Sequence, residues 1–164
     1  MITATKETIL TKDLANNKIQ VVREFDAPVE RVWKAWTEAA VLDKWWAPKP
    51  YQAKTKTMDF RPGGIWLYSM VGPDNSEFCR ADFKTIVDNK TFSMVEGFCD
   101  EDGKMDNQLP VMQWKCEFIG NDSTTKVEVE ISFNSQRDLE KILEMGFQEG
   151  FAAAHTNLDE LLAE

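Results

Sequence analysis

The chain has 164 residues, 43% of them hydrophobic and 29% charged, with a formal net charge of −9. That is enough for one domain whose core buries roughly 70% of its unfolded surface. The charge excludes the basic stripe of a nucleic-acid binder and the cationic face that docks on anionic lipid, and no apolar run reaches the length of a membrane span.

Residues 1–17 are weakly patterned and are expected to form a strand or an extended arm, ahead of a single domain over 18–164. They show no apolar signal-peptide core and no cleavage site, so a cytoplasmic location is expected. Lys18 to Asp26, "KIQVVREFD", reads as a strand with Ile19, Val21 and Phe25 on one side. Pro28 sits where a helix can begin, because its missing N–H would be unpaired there anyway. Val29, Val32, Trp33 and Trp36 then share one helical face. A second short helix opens at Thr37, carries Val41, Leu42, Trp45 and Trp46, and is ended by Pro48 and Pro50.

Strands and tight turns follow. "RPGG" (Arg61–Gly64) places Pro and Gly as a type II turn requires, between strands near Tyr51–Phe60 and Ile65–Val71. "GPDNS" (Gly72–Ser76) and "DNK" (Asp88–Lys90) make two more reversals. Cys79, Ala81, Phe83 and Val87 share one face, and a longer polar loop runs from Asp100 to Pro110. In the last hairpin Met112, Trp114, Cys116 and Phe118 alternate with polar residues. After a turn at Gly120–Ser123, Val127, Val129, Ile131 and Phe133 do the same. Such alternation predicts a sheet with one wet and one covered face.

The cover is a C-terminal helix. Ser135 caps it with Asp138 three residues on, and Leu139 to Leu162 would span about 35 Å, with Gly146 and Gly150 as places to bend or divide it. Leu143, Phe147, Phe151, Ala154, Leu158 and Leu161 form its apolar stripe. The expected fold class is α+β: a curved antiparallel sheet of about six to seven strands wrapped around the last helix, with two short helices after the first strand.

Three longer stretches, "REFDAPVERVWKAWTEAAVLDKWWAPKPY" (Arg23–Tyr51), "DFRPGGIWLYSMVGPDNSEF" (Asp59–Phe78) and "GFQEGFAAAHTNLDELL" (Gly146–Leu162), carry a resemblance. Together they resemble the bacterial homologues of the activator of heat-shock-protein-90 ATPase, within the START-like (SRPBCC) superfamily. The resemblance implies a helix-grip fold with a cavity between sheet and long helix. That superfamily holds lipid and hormone carriers, aromatase/cyclases and co-chaperone domains. Ala47 stands where the family usually has glycine before the proline of its tryptophan motif. At 164 residues, no room is expected for the separate N-terminal domain of the eukaryotic co-chaperone.

The cavity so implied would be lined by Trp45, Trp46, Trp66, Tyr68, Phe83, Trp114, Phe118, Val129, Phe147, Phe151 and His155. Trp45 and Trp46 cannot point the same way from one helix end, so one is expected to pack inward and the other to rim the opening, with Trp46 taken as the rim. Trp66 and Tyr68 share a strand face and Trp114 lies on the covered face of its own; such groups carry polar tips, and Trp114, Tyr68 and His155 are the ones expected to orient a ligand. His155, the single histidine, sits at the edge of the helical stripe and reaches either the cavity or solvent. Asp82 and Glu96 lie in strands whose facing the pattern leaves open. Either one, if turned inward, would be desolvated and become a candidate base.

Other chemistries find no support. Cys79, Cys99 and Cys116 are widely spaced, with no CxxC pair, so they read as reduced thiols without a metal or disulfide. "DEDGKMD" (Asp100–Asp106) fails calcium-loop spacing, "RPGG" opens no helix for a phosphate, and no nucleophile elbow occurs. Gly146 and Gly150 read as close approach of helix to sheet. No catalytic residue, metal or cofactor is assigned. The leading expectation is a non-catalytic domain binding a hydrophobic or aromatic small molecule. Beside it stand a stress-related partner of a chaperone ATPase and a cyclase- or hydrolase-like enzyme. A homodimer is compatible with all three.

Overall fold

In the computed structural model, which describes residues 6–164, eight strands form one antiparallel sheet. They are β1 (Ile9–Asp13), β2 (Lys18–Phe25), β3 (Gln52–Met58), β4 (Ile65–Val71), β5 (Ser76–Val87), β6 (Thr91–Cys99), β7 (Met112–Gly120) and β8 (Thr125–Ser132). Their spatial order is β1-β2-β8-β7-β6-β5-β4-β3. Helices α1 (Val29–Thr37) and α2 (Ala39–Trp45) link β2 to β3, while α3 (Gln136–Glu144) and α4 (Phe147–Leu162) close the chain. This is an α+β helix-grip fold. Residues 1–5 of the expected arm or strand lie outside the described residues.

The strand count exceeds the expected six to seven because of β1. It pairs with β2 from Ile9↔Val22 to Asp13↔Lys18, at the sheet edge. Ile9 is 57% exposed and no β1 residue is fully buried, so no covered face imposed an alternating pattern on its sequence. In β7 and β8 the alternation is strict, and every apolar residue of the inner register from Met112 to Phe118 and Val127 to Ile131 is buried.

One helical expectation is corrected, and the choice between a bend and a division in the other is decided. Thr37 ends α1 rather than opening α2: its hydroxyl donates to the Trp33 carbonyl, and Glu38 is extended between the helices. The single long helix is two. Ser135 accepts from the Asp138 amide as expected, but Gly146 takes φ 90°, a left-handed conformation that breaks the helical path between α3 and α4. Gly150 lies within α4 and faces Pro48 after α2, not the sheet. The turn at Arg61–Gly64 has Gly63 at φ 86° and a Gly64 amide donating to the Arg61 carbonyl at 2.8 Å, as a type II turn demands.

The groove of the sheet is filled unequally. α1 drives Trp33 and Trp36 into one part, where Trp33 meets Phe60, Phe92 and Phe118 with ring centroids 5.0–5.9 Å apart. The second half of α4 is held by polar contacts. Arg23 of β2, buried, pairs with Asp159, and Arg31 donates to the Leu162 carbonyl at 2.7 Å. Asn157 donates to the carbonyls of Trp45 and Ala47 at 3.4 and 3.1 Å. The first turns of α4 lie over the part of the groove that α1 does not reach.

Candidate functional site

In that part the side chains leave a cavity of about 210 Å³. Its floor is the inner face of β4 to β7, its roof is the α3–α4 junction, and Trp46 with Pro48 closes one side. The roof presents only Ile142, Met145, Gly146, Phe147, Gly150 and Phe151. Glu77 and Met145, both exposed, mark the side open to solvent. The size suits one ring: an apolar cavity of about 150 Å³ takes up a benzene molecule.

One polar chain crosses the wall. Trp46 Nε1 donates to the Tyr68 hydroxyl at 3.0 Å, and that hydroxyl donates to Glu96 Oε2 at 2.7 Å. Glu96 is 4% exposed and faces the cavity. Burial raises its pKa to about 7, partly offset by the hydrogen bond from Tyr68. Burial, reinforced by Cys79 and Glu96, holds the Tyr68 phenol well above its ordinary range, so it stays a donor. The Cys79 thiol, which also lines the cavity, is pushed up by burial and by Glu96 and is not a thiolate near neutrality. Among the described residues no group of three or more His, Cys, Asp or Glu side chains is arranged to hold a metal ion.

The model of the Activator of Hsp90 ATPase homolog 1-like protein family matches residues 26–163. The chain belongs to this family. Among solved structures, a Mycobacterium smegmatis protein is 31% identical with a TM-score of 0.88, over 95% of this chain and 96% of its own. An Arthrobacter aurescens protein is likewise 31% identical at 0.88, over 94% and 91%. An AHSA1 protein from Silicibacter pomeroyi, at 15% identity and a TM-score of 0.70 over 89% and 97%, shares the fold. No curated protein matches. The START-like helix-grip is thus shared with these relatives.

Of the side chains expected around a cavity, Trp46, Tyr68, Trp114, Phe147 and Phe151 face it. Trp46 does so from inside, at 7% exposure, and is a wall rather than the expected rim. Trp45 is the partner that packs inward, fully buried, its Nε1 donating to the Ala35 carbonyl at 2.9 Å. Trp66 stacks behind Tyr68 with centroids 3.9 Å apart and donates to Thr55. Phe83 and Phe118 belong to the aromatic cluster under α1, and Val129 is plain core. None of these five lines the cavity, because α1 has already filled the groove on their side.

His155 is also away from it. The ring is 1% exposed among Phe25, Trp36, Trp45 and Phe151, with Nδ1 sharing a 2.7 Å hydrogen bond with Thr8 Oγ1. Burial, and then the nearby Arg23 guanidinium, lowers its pKa to about 3. It is a neutral core histidine, neither in the cavity nor at the surface.

Of the two open carboxylates, Asp82 lies on the outer side, half-buried and paired with Arg80 at 3.0 Å. Glu96 faces inward. The signal for it was the alternation Phe92, Met94, Glu96, Phe98 along β6, which puts the carboxylate in step with three apolar residues. The sulfur-bearing lining, Met70, Met112 and Met145 with Cys79, had no sequence signal of its own, since methionine fills plain core equally well.

Proposed function

We propose that this chain is a small-molecule binding domain that holds a hydrophobic or aromatic ligand between the sheet and the α3–α4 break. The observation that supports it is the cavity of about 210 Å³, apolar on most sides, with one hydrogen-bonded carboxyl in its wall. A ring-sized ligand burying about 200 Å² would gain about 5 kcal/mol before the costs of association, so the polar group decides orientation and selectivity. A packed, sealed interior would instead have favoured a surface-acting partner of a chaperone ATPase.

Native mass spectrometry of the purified protein should show a retained small molecule, and neutral ring compounds should raise its unfolding midpoint, since a ligand that prefers the folded state stabilises it. Failure of every apolar ring compound to shift the midpoint would remove this reading.

Glu96 favours a second reading, a cyclase- or hydrolase-like enzyme with this carboxylate as general base. A base poised near neutral pH is what proton abstraction needs. Incubating a retained compound with the protein separates the two. A binder returns it unchanged, whereas an enzyme converts it and loses that activity in Glu96→Gln.

A further inference from the structure

Every charged side chain lining the cavity is acidic. Glu96 stands at the inner wall and Glu77 at the side open to solvent, and no Lys, Arg or His lines the cavity. Glu96 is also the exception among buried charges. Arg23, similarly buried, has Asp159 as its counter-ion. Among the described residues Glu96 has no cation within ion-pair distance, and only its Oε2 is engaged, by Tyr68. A buried carboxylate without a partner is costly, and a ligand that brings the missing cation relieves that cost.

The walls suit the same ligand. Trp46, Trp114 and Phe151 stand around Glu96's cavity with mutual ring centroids 5.6–5.9 Å apart, and Phe147 extends them along α4. Indole and phenyl faces attract ammonium groups through the ring quadrupole, and more strongly where water is excluded. Two carboxylates of one sign, at the mouth and at the inner wall, also draw a cation inward.

Building on the binding reading above, we propose that the ligand is an organic cation: an ammonium group on a ring-sized apolar body, its head on Glu96 and its body against Trp46, Trp114 and Phe151. The groups that face Glu96 from the packed strands are the Tyr68 hydroxyl of β4, the thiol of Cys79 of β5 and that of Cys116 of β7, with Cys99 further along its own strand. The lining from α3 and α4 is uncharged. Glu96 is therefore the group in the cavity whose ionisation changes near neutrality.

The test compares 2-phenylethylamine with propylbenzene, which has the same number of heavy atoms and no charge, and with phenylacetate. Dissociation constants are measured by tryptophan fluorescence at pH 7.5 and 5.5, for the wild type and Glu96→Gln. The amine should bind the wild type at least about ten-fold tighter than propylbenzene at pH 7.5, with phenylacetate weakest. That preference should shrink at pH 5.5 and lose most of its size in Glu96→Gln. Equal wild-type affinity for amine and hydrocarbon, or an amine preference that is undiminished in Glu96→Gln, would overturn the cation proposal and leave the binding reading standing. Binding of none of the three would overturn both. The wild-type comparison decides the matter even where the variant folds poorly.

Discussion

The Tyr68 hydroxyl donates to Glu96 Oε2 at 2.7 Å while accepting from Trp46 Nε1 at 3.0 Å, so an indole from the end of α2 fixes, through β4, the carboxyl of a strand two positions further across the sheet. With its hydrogen committed to Glu96, the phenol cannot also donate to a ligand. The second oxygen of Glu96 and the Trp114 Nε1–H are the polar atoms of the buried lining that this chain leaves without a hydrogen bond.

The Glu96 carboxyl makes stability fall as pH rises. Its folded pKa, about 7 against an ordinary 4.5, means that the folded state holds a proton the unfolded chain has released. Between pH 4.5 and 7 the folded state is the more protonated, and stability drops across that window by up to about 3 kcal/mol. Glu96→Gln should abolish the drop. Urea midpoints at pH 5 and 8, with and without the substitution, measure it.

His155 acts with the opposite sign. Its folded pKa is lowered to about 3 from 6.5, so the unfolded state takes up the proton first and stability falls as pH drops from 6.5 towards 3. In the wild type the two groups oppose each other between pH 4.5 and 6.5. His155→Phe should therefore expose the Glu96 slope, and Glu96→Gln the acid-side loss due to His155. Parallel curves for both variants would show that neither group is linked to folding.

Trp114→Ala should cost roughly 3–5 kcal/mol, because the ring is 2% exposed against Phe147 and Phe151 and its loss enlarges an existing cavity. Trp46→Ala belongs in the same range, since Trp46 is wall and not rim. Trp46→Phe keeps most of the packing and should lose about 1 kcal/mol for the hydrogen bond to Tyr68. Denaturant midpoints at constant slope rank the three.

Gly146→Ala should lose about 1–2 kcal/mol, the cost of placing a side chain in the left-handed region at φ 90°. No neighbour would clash with the added methyl, whose nearest contact, Glu149 Oε2, is 4.0 Å away, so the loss is one of backbone strain. A melt unchanged from wild type would mean that α3 and α4 join by another path.

Much of this fold is legible in the sequence. The alternation of Met112 to Phe118 and Val127 to Ile131 imposes the sheet, because one face is covered throughout. Ser135 and Pro28 marked helix starts through groups their own chemistry satisfies or removes. For β1 the choice between strand and extended arm stayed open, because an exposed edge strand leaves no hydrophobic period. The division at Gly146 was one of two options for a glycine in a helical stripe. Which aromatic rings would face a cavity was not legible. Phe118 and Trp114 share one strand face and differ only in whether α1 or α4 lies above them. Glu96 was legible in principle, from its place between Met94 and Phe98.

The polar fastening of α4 is one-sided. Asn157, Asp159 and the Leu162 carbonyl are tied to α2, β2 and α1, whereas Phe147 and Phe151 rest on rings alone. Directional bonds thus fix the far end of α4, and non-directional packing fixes the near end. Displacing the near end costs dispersion contacts between rings, whereas moving the far end would also break an ion pair buried with Arg23. The roof of the cavity is therefore the part of α4 held by packing alone, while its far end is held by directed polar bonds.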